Sequence, residues 1–104
     1  MTIIHEKLVR DRIPEIIQGS GKACSTRILT QDEYVAALDA KLQEELNEYQ
    51  ADNYMEELGD LLEVIMAVAE ARGHSFAEVE AIRQQKAAKR GGFRERIWLE
   101  SVSD

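Results

Sequence analysis

The apolar residues of this chain recur at helical spacing over most of its length. Wound at the 100° per residue of an α-helix, the first long segment forms one apolar stripe of Tyr34, Leu38, Leu42 and Tyr49. A second, wider stripe follows through Leu58, Leu61, Leu62, Ile65 and Ala69, with Val64 and Val68 along one edge. The pattern predicts three helices, over residues 31–51, 54–72 and 76–90.

Each predicted helix is preceded by a residue that can cap it, with a glutamate three positions later. The pairs are Thr30 with Glu33, Asn53 with Glu56, and Ser75 with Glu78. Gly73 suits the left-handed end of the second helix, and Gly91-Gly92 ends the third. A shorter helix around Pro14, capped by Asp11, should end near Gly19.

The segments outside these helices carry only weak signals. Residues 23–29 and 94–102 contain enough β-forming and apolar side chains to suggest two short strands that pair with each other. No repeat or flexible linker divides the chain. We therefore expect one mainly α domain over residues 1–104, with a helical hairpin, further helices and a small two-stranded element.

The charge is unevenly distributed along the chain. Twenty acids and thirteen bases give a net charge of −7, which argues against binding to a nucleic-acid polymer. Residues 32–63 hold eleven acids and one base, whereas residues 83–96 hold six bases and one acid. The single Cys24, the absence of a signal-peptide pattern and the absence of a membrane-spanning apolar run lead us to expect a cytoplasmic protein.

Four carboxylates interrupt the apolar faces of the two central helices. Glu45 occupies the position that should complete the first stripe, and Glu48 lies beside it. Glu57 and Asp60 lie along the edge of the second stripe. Reflecting the sequence about the turn at residues 52–53 sets Glu48 opposite Glu57 and Glu45 opposite Asp60. Antiparallel neighbouring helices would therefore bring all four carboxylates together.

Four carboxylates this close repel one another strongly, so their charge must be relieved. They can stay protonated, pair with arginines or bind divalent cations, and an acidic solvated surface is the simpler alternative. An all-oxygen set favours hard cations, and we expect Mg²⁺, with Mn²⁺ as a substitute. A ferritin-like di-iron centre would need Glu-x-x-His, which neither His5 nor His74 completes.

Three segments of the chain resemble one known family. Glu44-Glu45-Leu46-Asn47-Glu48 followed by Glu57-Leu58-Gly59-Asp60 is similar to the carboxylate signature of the MazG-like all-α NTP pyrophosphatases. The stretches Lys7–Pro14 and Lys86–Phe93 resemble the opening and closing segments of its small phosphoribosyl-ATP pyrophosphohydrolase-like subgroup. The resemblance thus covers nearly the whole chain.

This resemblance implies hydrolysis of a nucleoside triphosphate between its α and β phosphorus atoms, giving the monophosphate and pyrophosphate. Mg²⁺ would be held by Glu45, Glu48, Glu57 and Asp60. Glu44 and Glu45 would act on the attacking water. The substrate phosphates would meet a set of basic residues, namely Lys86, Lys89, Arg90, Lys7 and Arg10. The resemblance also implies a homodimer, which two helices with wide apolar faces would in any case favour.

Two other functions fit the same sequence. One is true phosphoribosyl-ATP hydrolysis in histidine synthesis, for which no dedicated pocket is recognisable. The other is a non-catalytic helical module that binds nucleotides or a protein partner through the acidic face. House-cleaning hydrolysis of non-standard nucleotides is the expectation that we carry forward.

Overall fold

The computed structural model of the protein describes residues 1–104 and consists of helices joined by irregular segments. The helices are α1 (Ile13–Gly19), α2 (Gln31–Asp52), α3 (Met55–Ala71) and α4 (Phe76–Arg90). The expectation of a mainly α fold is confirmed, and the three long helices begin and end within two residues of the predicted positions. None of the four combines the length and apolar character needed to cross a bilayer.

The turn between α2 and α3 is very short, and Asn53 forms it. Asn53 adopts the left-handed conformation (φ 59°, ψ 25°) and its N–H donates to the carbonyl of Tyr49 at 2.7 Å. Asparagine tolerates this conformation better than most side chains. Asn53 therefore ends α2, and the predicted capping box with Glu56 is wrong: Tyr54 precedes α3 without a side-chain cap. The chain reverses at once, so α2 and α3 form an antiparallel hairpin, the main helix contact of the fold.

The other two predicted capping boxes are confirmed. Thr30 accepts a hydrogen bond from the Glu33 N–H at 3.3 Å, and the Glu33 carboxylate accepts one from the Thr30 N–H at 2.9 Å. Ser75 and Glu78 make the same reciprocal pair at the start of α4. Gly73 (φ 86°) ends α3 as predicted, since the next N–H reaches back to the carbonyl of Ala69 at 2.9 Å.

Replacing Thr30 with alanine is expected to destabilise the protein by about 1 kcal/mol, because one N–H of the first turn of α2 loses its acceptor. Urea unfolding followed by helical circular dichroism measures this change. Thr26→Ala is the control, since Thr26 is exposed and makes no side-chain hydrogen bond. Equal stability of the two variants would contradict a capping role for Thr30.

Two expectations for the irregular segments are wrong. Asp11 does not cap α1, because the helix begins after Arg12 and has no side-chain cap. Residues 23–29 and 94–102 form no strands, and no backbone hydrogen bond joins them. The second segment instead begins with a turn in which the Arg96 N–H donates to the carbonyl of Phe93.

The apolar core of the single chain is small. Only Leu38, Val64 and Ala69 are buried among the hydrophobic residues, and Glu45 is the one buried charged residue. α3 turns its Val64 side towards α2, so the edge of its predicted stripe is buried. Leu58 and Leu62, which belong to the predicted main stripe, stay 37% and 47% exposed. α4 contacts α3 only near the turn that joins them.

Candidate metal centre

The α2–α3 hairpin brings the predicted carboxylates together. Oxygen atoms of Glu45, Glu57 and Asp60 lie within 4.8 Å of one another. Oxygen atoms of Glu44, Glu45 and Glu48 form a second group within the same distance. Glu45 belongs to both groups and lies at their centre. The expected approach of Glu45 to Asp60 is therefore observed, whereas Glu48 groups with Glu44 and Glu45 on its own helix and not with Glu57 across the hairpin. The role of these side chains as metal ligands stays a prediction.

Glu45 is a nearly buried carboxylate with an unsatisfied oxygen atom, which is unusual for a side chain with a purely structural role. Its side chain is only 9% exposed. Its Oε2 atom is buried and has no hydrogen-bond partner, and the same holds for Oε2 of Glu57 on the facing helix. A buried polar atom without a partner is costly, because nothing replaces the water that it has lost. Two orphaned carboxylate oxygens on side chains of one carboxylate group fit a hard divalent cation, which takes oxygen ligands.

Lys41 supplies one positive charge to this cluster from one turn earlier in α2. Its Nζ lies 3.2 Å from Oε1 of Glu44 and 3.6 Å from Oε1 of Glu45. The spacing of three and four residues puts all three side chains on one helix face, so this contact follows from the sequence alone. One ammonium group cannot balance the five carboxylates in the two groups. It also holds Glu44 against the cluster, although Glu44 lies one residue off the predicted ligand face.

Arg10 supplies a second positive charge, from a distant part of the chain. Its Nη2 donates to Oδ1 of Asp60 at 2.8 Å, across fifty residues of sequence. The pair is partly exposed, with side-chain exposures of 58% and 43%. Arg10 is thus the one predicted phosphate-contacting residue that the structure brings to the carboxylates.

The other predicted phosphate-contacting residues form no ion pair with the carboxylates. Lys7 lines a shallow cavity between the N-terminal segment and α2, alongside Lys41 and Glu44, but forms no ion pair. Lys86, Lys89 and Arg90 are exposed on the last turns of α4 and form no ion pair or hydrogen bond with the carboxylates. Within one chain, their positive charge lies at the C-terminal end of α4, where it favours the helix dipole.

The burial and mutual repulsion of these carboxylates raise the pKa values of two of them. Burial raises the pKa of Glu45, the charge of Glu48 raises it further, and Lys41 opposes the change. Burial also raises the pKa of Glu57, again with help from Glu48. Both shifts mean that the metal-free folded protein disfavours the charged carboxylates. A bound cation would remove this penalty.

The raised pKa of Glu45 gives the metal-free protein a characteristic pH dependence. The folded state holds the Glu45 proton to higher pH than the unfolded state, so this group makes stability fall as pH rises above the ordinary carboxyl pKa. The ion-paired carboxylates act at lower pH: Arg27 lowers the pKa of Glu33 to about 2, so the stability from that pair is lost only in acid. In EDTA, Glu45→Gln is therefore expected to raise Tm at pH 8 by a few degrees relative to the unmodified protein, and by less at pH 5.

The control for that comparison is Glu63→Gln on α3, because Glu63 is exposed and unpaired. Each variant lacks one carboxyl group, so the comparison of the two between pH 5 and pH 8 contrasts a buried carboxyl with an exposed one. The Glu45→Gln change includes the effect of the Glu45 charge on the pKa of Glu57. A Glu45→Gln protein whose Tm falls between pH 5 and pH 8 as steeply as that of the Glu63→Gln protein would show that Glu45 is not strained by its burial.

Comparison with known proteins adds sequence similarity but no function. No family model and no solved structure matches the chain. Over 45 residues, the chain is 60% identical to an uncharacterized protein of Mycolicibacterium smegmatis. That alignment covers 43% of this chain and 46% of the relative, so it spans just under half the length of each. Functional inference therefore rests on the residues and their geometry.

Proposed function

We propose that the protein is a Mg²⁺-dependent nucleoside triphosphate pyrophosphohydrolase. One observation carries the proposal: the nearly buried Glu45, with an unpartnered Oε2, meets the carboxylate oxygens of Glu57 and Asp60 within 4.8 Å. A purely structural helix pair would place an apolar side chain at position 45. The similarity of the surrounding residues to the MazG-like signature supports this reaction over other uses of Mg²⁺.

The ligand set that we propose is Glu45, Glu57 and Asp60, with Glu48 next to Glu45. When bound there, Mg²⁺ would supply the positive charge that a triphosphate needs in an otherwise acidic site. Mn²⁺ is expected to replace it, because both cations accept the same oxygen ligands. The backbone of α2 and α3 fixes these side chains on rigid helices, so the cluster is organised before any substrate arrives.

The reaction that we propose consumes one water molecule. The water oxygen forms a bond to the α phosphorus, and the bond from that phosphorus to the α–β bridging oxygen breaks. Pyrophosphate leaves with the electron pair, and the water proton passes to a carboxylate. We assign this role to Glu44, since it lies at the edge of the cluster outside the proposed ligand set, where Lys41 holds its Oε1 at 3.2 Å. Glu45, the other residue predicted to act on the water, is needed as a ligand in this scheme, so Glu44 is the proton acceptor that we propose.

The short turn between the helices bears on the choice of substrate. Only Asn53 and Tyr54 separate α2 from α3, so no loop extends from this turn over the cluster. Recognition would therefore rest mainly on phosphate groups, with little discrimination among bases. That broad selectivity suits hydrolysis of surplus or non-standard nucleotides better than a dedicated phosphoribosyl-ATP enzyme. A cytoplasmic location would give access to such a nucleotide pool.

We propose that the protein works as a homodimer, because the isolated chain exposes far more surface than a compact monomer. Its accessible area is 9541 Å², whereas a monomer of 11.8 kDa is expected to expose about 5,900 Å². Its radius of gyration is 18.5 Å, against about 13 Å for a compact domain of this length. Summed over two chains, this excess is more than enough for the roughly 2,000–5,000 Å² that obligate dimers commonly bury. A second copy would also bring the basic end of another α4 within reach of the acidic hairpin.

A panel of nucleoside triphosphates and phosphoribosyl-ATP, assayed for pyrophosphate release with Mg²⁺, tests the proposed activity. Release from several triphosphates supports the broad hydrolase. Release from phosphoribosyl-ATP alone would favour the histidine-synthesis reaction. No release from any compound, by a protein that binds Mn²⁺, would contradict hydrolysis and leave the non-catalytic nucleotide-binding module.

A further inference from the structure

Besides Lys41, the carboxylate cluster contains the positively charged side chain of Arg10. The guanidinium of Arg10 donates to Asp60 Oδ1 at 2.8 Å, and Asp60 is one of the three side chains whose oxygens converge on Glu45. Arg10 reaches it from the irregular N-terminal segment that precedes α1, and no other ion pair joins that segment to α3. This contact is not explained by packing, since both side chains are about half exposed.

The pair lies where the proposed metal ion would bind. Asp60 Oδ1 is occupied by Arg10, while Oε2 of Glu45 and Oε2 of Glu57 have no partner. The guanidinium thus pairs with the exposed carboxylate of the cluster, Asp60, and leaves the buried oxygens of Glu45 and Glu57 without a partner. Arg10 can leave such a contact at little cost, because a half-exposed ion pair is weak.

We infer that Arg10 is a displaceable counter-ion, which occupies Asp60 in the metal-free protein and yields it to the incoming divalent cation. The released guanidinium then lies beside the site with its planar donors free, in a position to bind the phosphate groups of the substrate. The inference rests on the proposed function, and it assigns to Arg10 a counter-ion role before the cation binds and a phosphate-binding role afterwards. The N-terminal segment would accordingly be ordered by the cluster before metal binding and by the substrate after it.

The opposite arrangement makes the opposite prediction. Arg10 could instead stay on Asp60 while the metal ion binds. It would then orient the liganding carboxylate through its hydrogen bond, and its removal would weaken metal binding. If Arg10 competes with the metal ion, its removal strengthens metal binding. The sign of the change therefore decides between the two roles without any measurement of activity.

The experiment titrates Mn²⁺ into the protein and follows free Mn²⁺ by electron paramagnetic resonance. Arg10→Gln is expected to bind Mn²⁺ about two- to fivefold more tightly than the unmodified protein. Arg12→Gln is the matched control: it removes the same charge two residues away, but Arg12 pairs with Glu15 inside α1. Arg12→Gln is expected to leave the affinity nearly unchanged.

A second measurement uses the stability of the same proteins. Without metal, Arg10→Gln should have a lower Tm than the unmodified protein, because the cluster loses one of its two counter-ions and keeps only Lys41. With saturating Mg²⁺ that difference should disappear, since the cation would have replaced the Arg10 contact with Asp60 in the unmodified protein. Arg10→Lys, which keeps the charge, should bind Mn²⁺ like the unmodified protein and provides the test if Arg10→Gln does not fold.

The outcomes separate this inference from the proposed function. Mn²⁺ binding by the unmodified protein, with Arg10→Gln weaker or no tighter than Arg12→Gln, overturns the displaceable counter-ion and leaves the metal site intact. Failure of the unmodified protein to bind Mn²⁺ overturns the metal site itself, and the inference with it. If Arg10→Gln does not fold, Arg10→Lys decides: an affinity clearly below that of the unmodified protein overturns the inference.

Discussion

Replacing Glu57 with glutamine is expected to lower Mg²⁺-dependent pyrophosphate release by at least about a hundredfold. Glutamine has nearly the same shape, and Oε2 of Glu57 has no hydrogen-bond partner to lose. The substitution removes one negative ligand and leaves the hairpin packing unchanged. Loss of even an indirect partner of a metal ligand costs about ten- to a hundredfold, so loss of a ligand should cost no less. Pyrophosphate release under saturating nucleotide and Mg²⁺ measures the effect.

The neighbouring glutamate gives a matched control. Glu56→Gln makes the same chemical change one residue earlier in α3, but Glu56 is exposed and belongs to neither carboxylate group. Its activity should stay within about twofold of the unmodified protein, because exposed charges interact weakly. Equal activity of Glu56→Gln and Glu57→Gln would remove Glu57 from the proposed site. Circular dichroism of both proteins would check that the helices are retained.

The sequence was sufficient to predict the hairpin and the clustering of its carboxylates, because both depend on local rules. Capping boxes and left-handed residues fix where a helix begins and ends within one or two residues. Once two helices are joined by a tight turn, residues equidistant from that turn must face each other. The positions of Glu45 and Asp60 follow from this geometry, whatever the role of the turn residue Asn53.

The rest depends on contacts between segments that are distant in sequence. Asparagine is favoured both as the capping residue before a helix and as the left-handed residue that ends one, so the sequence could not decide which role Asn53 has. α3 is apolar over more than half of its circumference, and periodicity cannot say which side meets α2. For the same reason no local rule could place Arg10 on Asp60, because their approach needs the path of the whole N-terminal segment.

Glu45 takes a core position of the hairpin and is also a proposed metal ligand, so it lowers stability where it would serve the reaction. An apolar side chain at its position would extend the stripe of Leu38 and Leu42 and strengthen the contact between α2 and α3. The protein instead places a carboxylate there, and its raised pKa records the cost in the metal-free state. A chain with so few buried residues cannot recover that stability internally. Assembly with a second copy and binding of a cation would each contribute to it.

The second large effect concerns that assembly: Leu62→Asp is expected to convert a dimer into a monomer. Leu62 is 47% exposed in the single chain, on the side of α3 that faces away from α2, and Leu58 adjoins it. A charge at the centre of a buried apolar interface must be desolvated without a partner, which costs several kcal/mol. The dimer dissociation constant should therefore rise by about a hundredfold or more.

Light scattering after size-exclusion chromatography measures this change directly, as a fall from twice 11.8 kDa to the mass of one chain. The matched control is Ala77→Asp, which adds the same charge in the first turn of α4, where Ala77 is exposed and an acidic residue suits the helix dipole. If Leu62→Asp kept the dimer mass at micromolar concentration, the exposed side of α3 would not be the interface. If the unmodified protein were itself a compact monomer, its excess of exposed area would need another explanation, and the proposed sharing of the basic end of α4 between subunits would fall with the dimer.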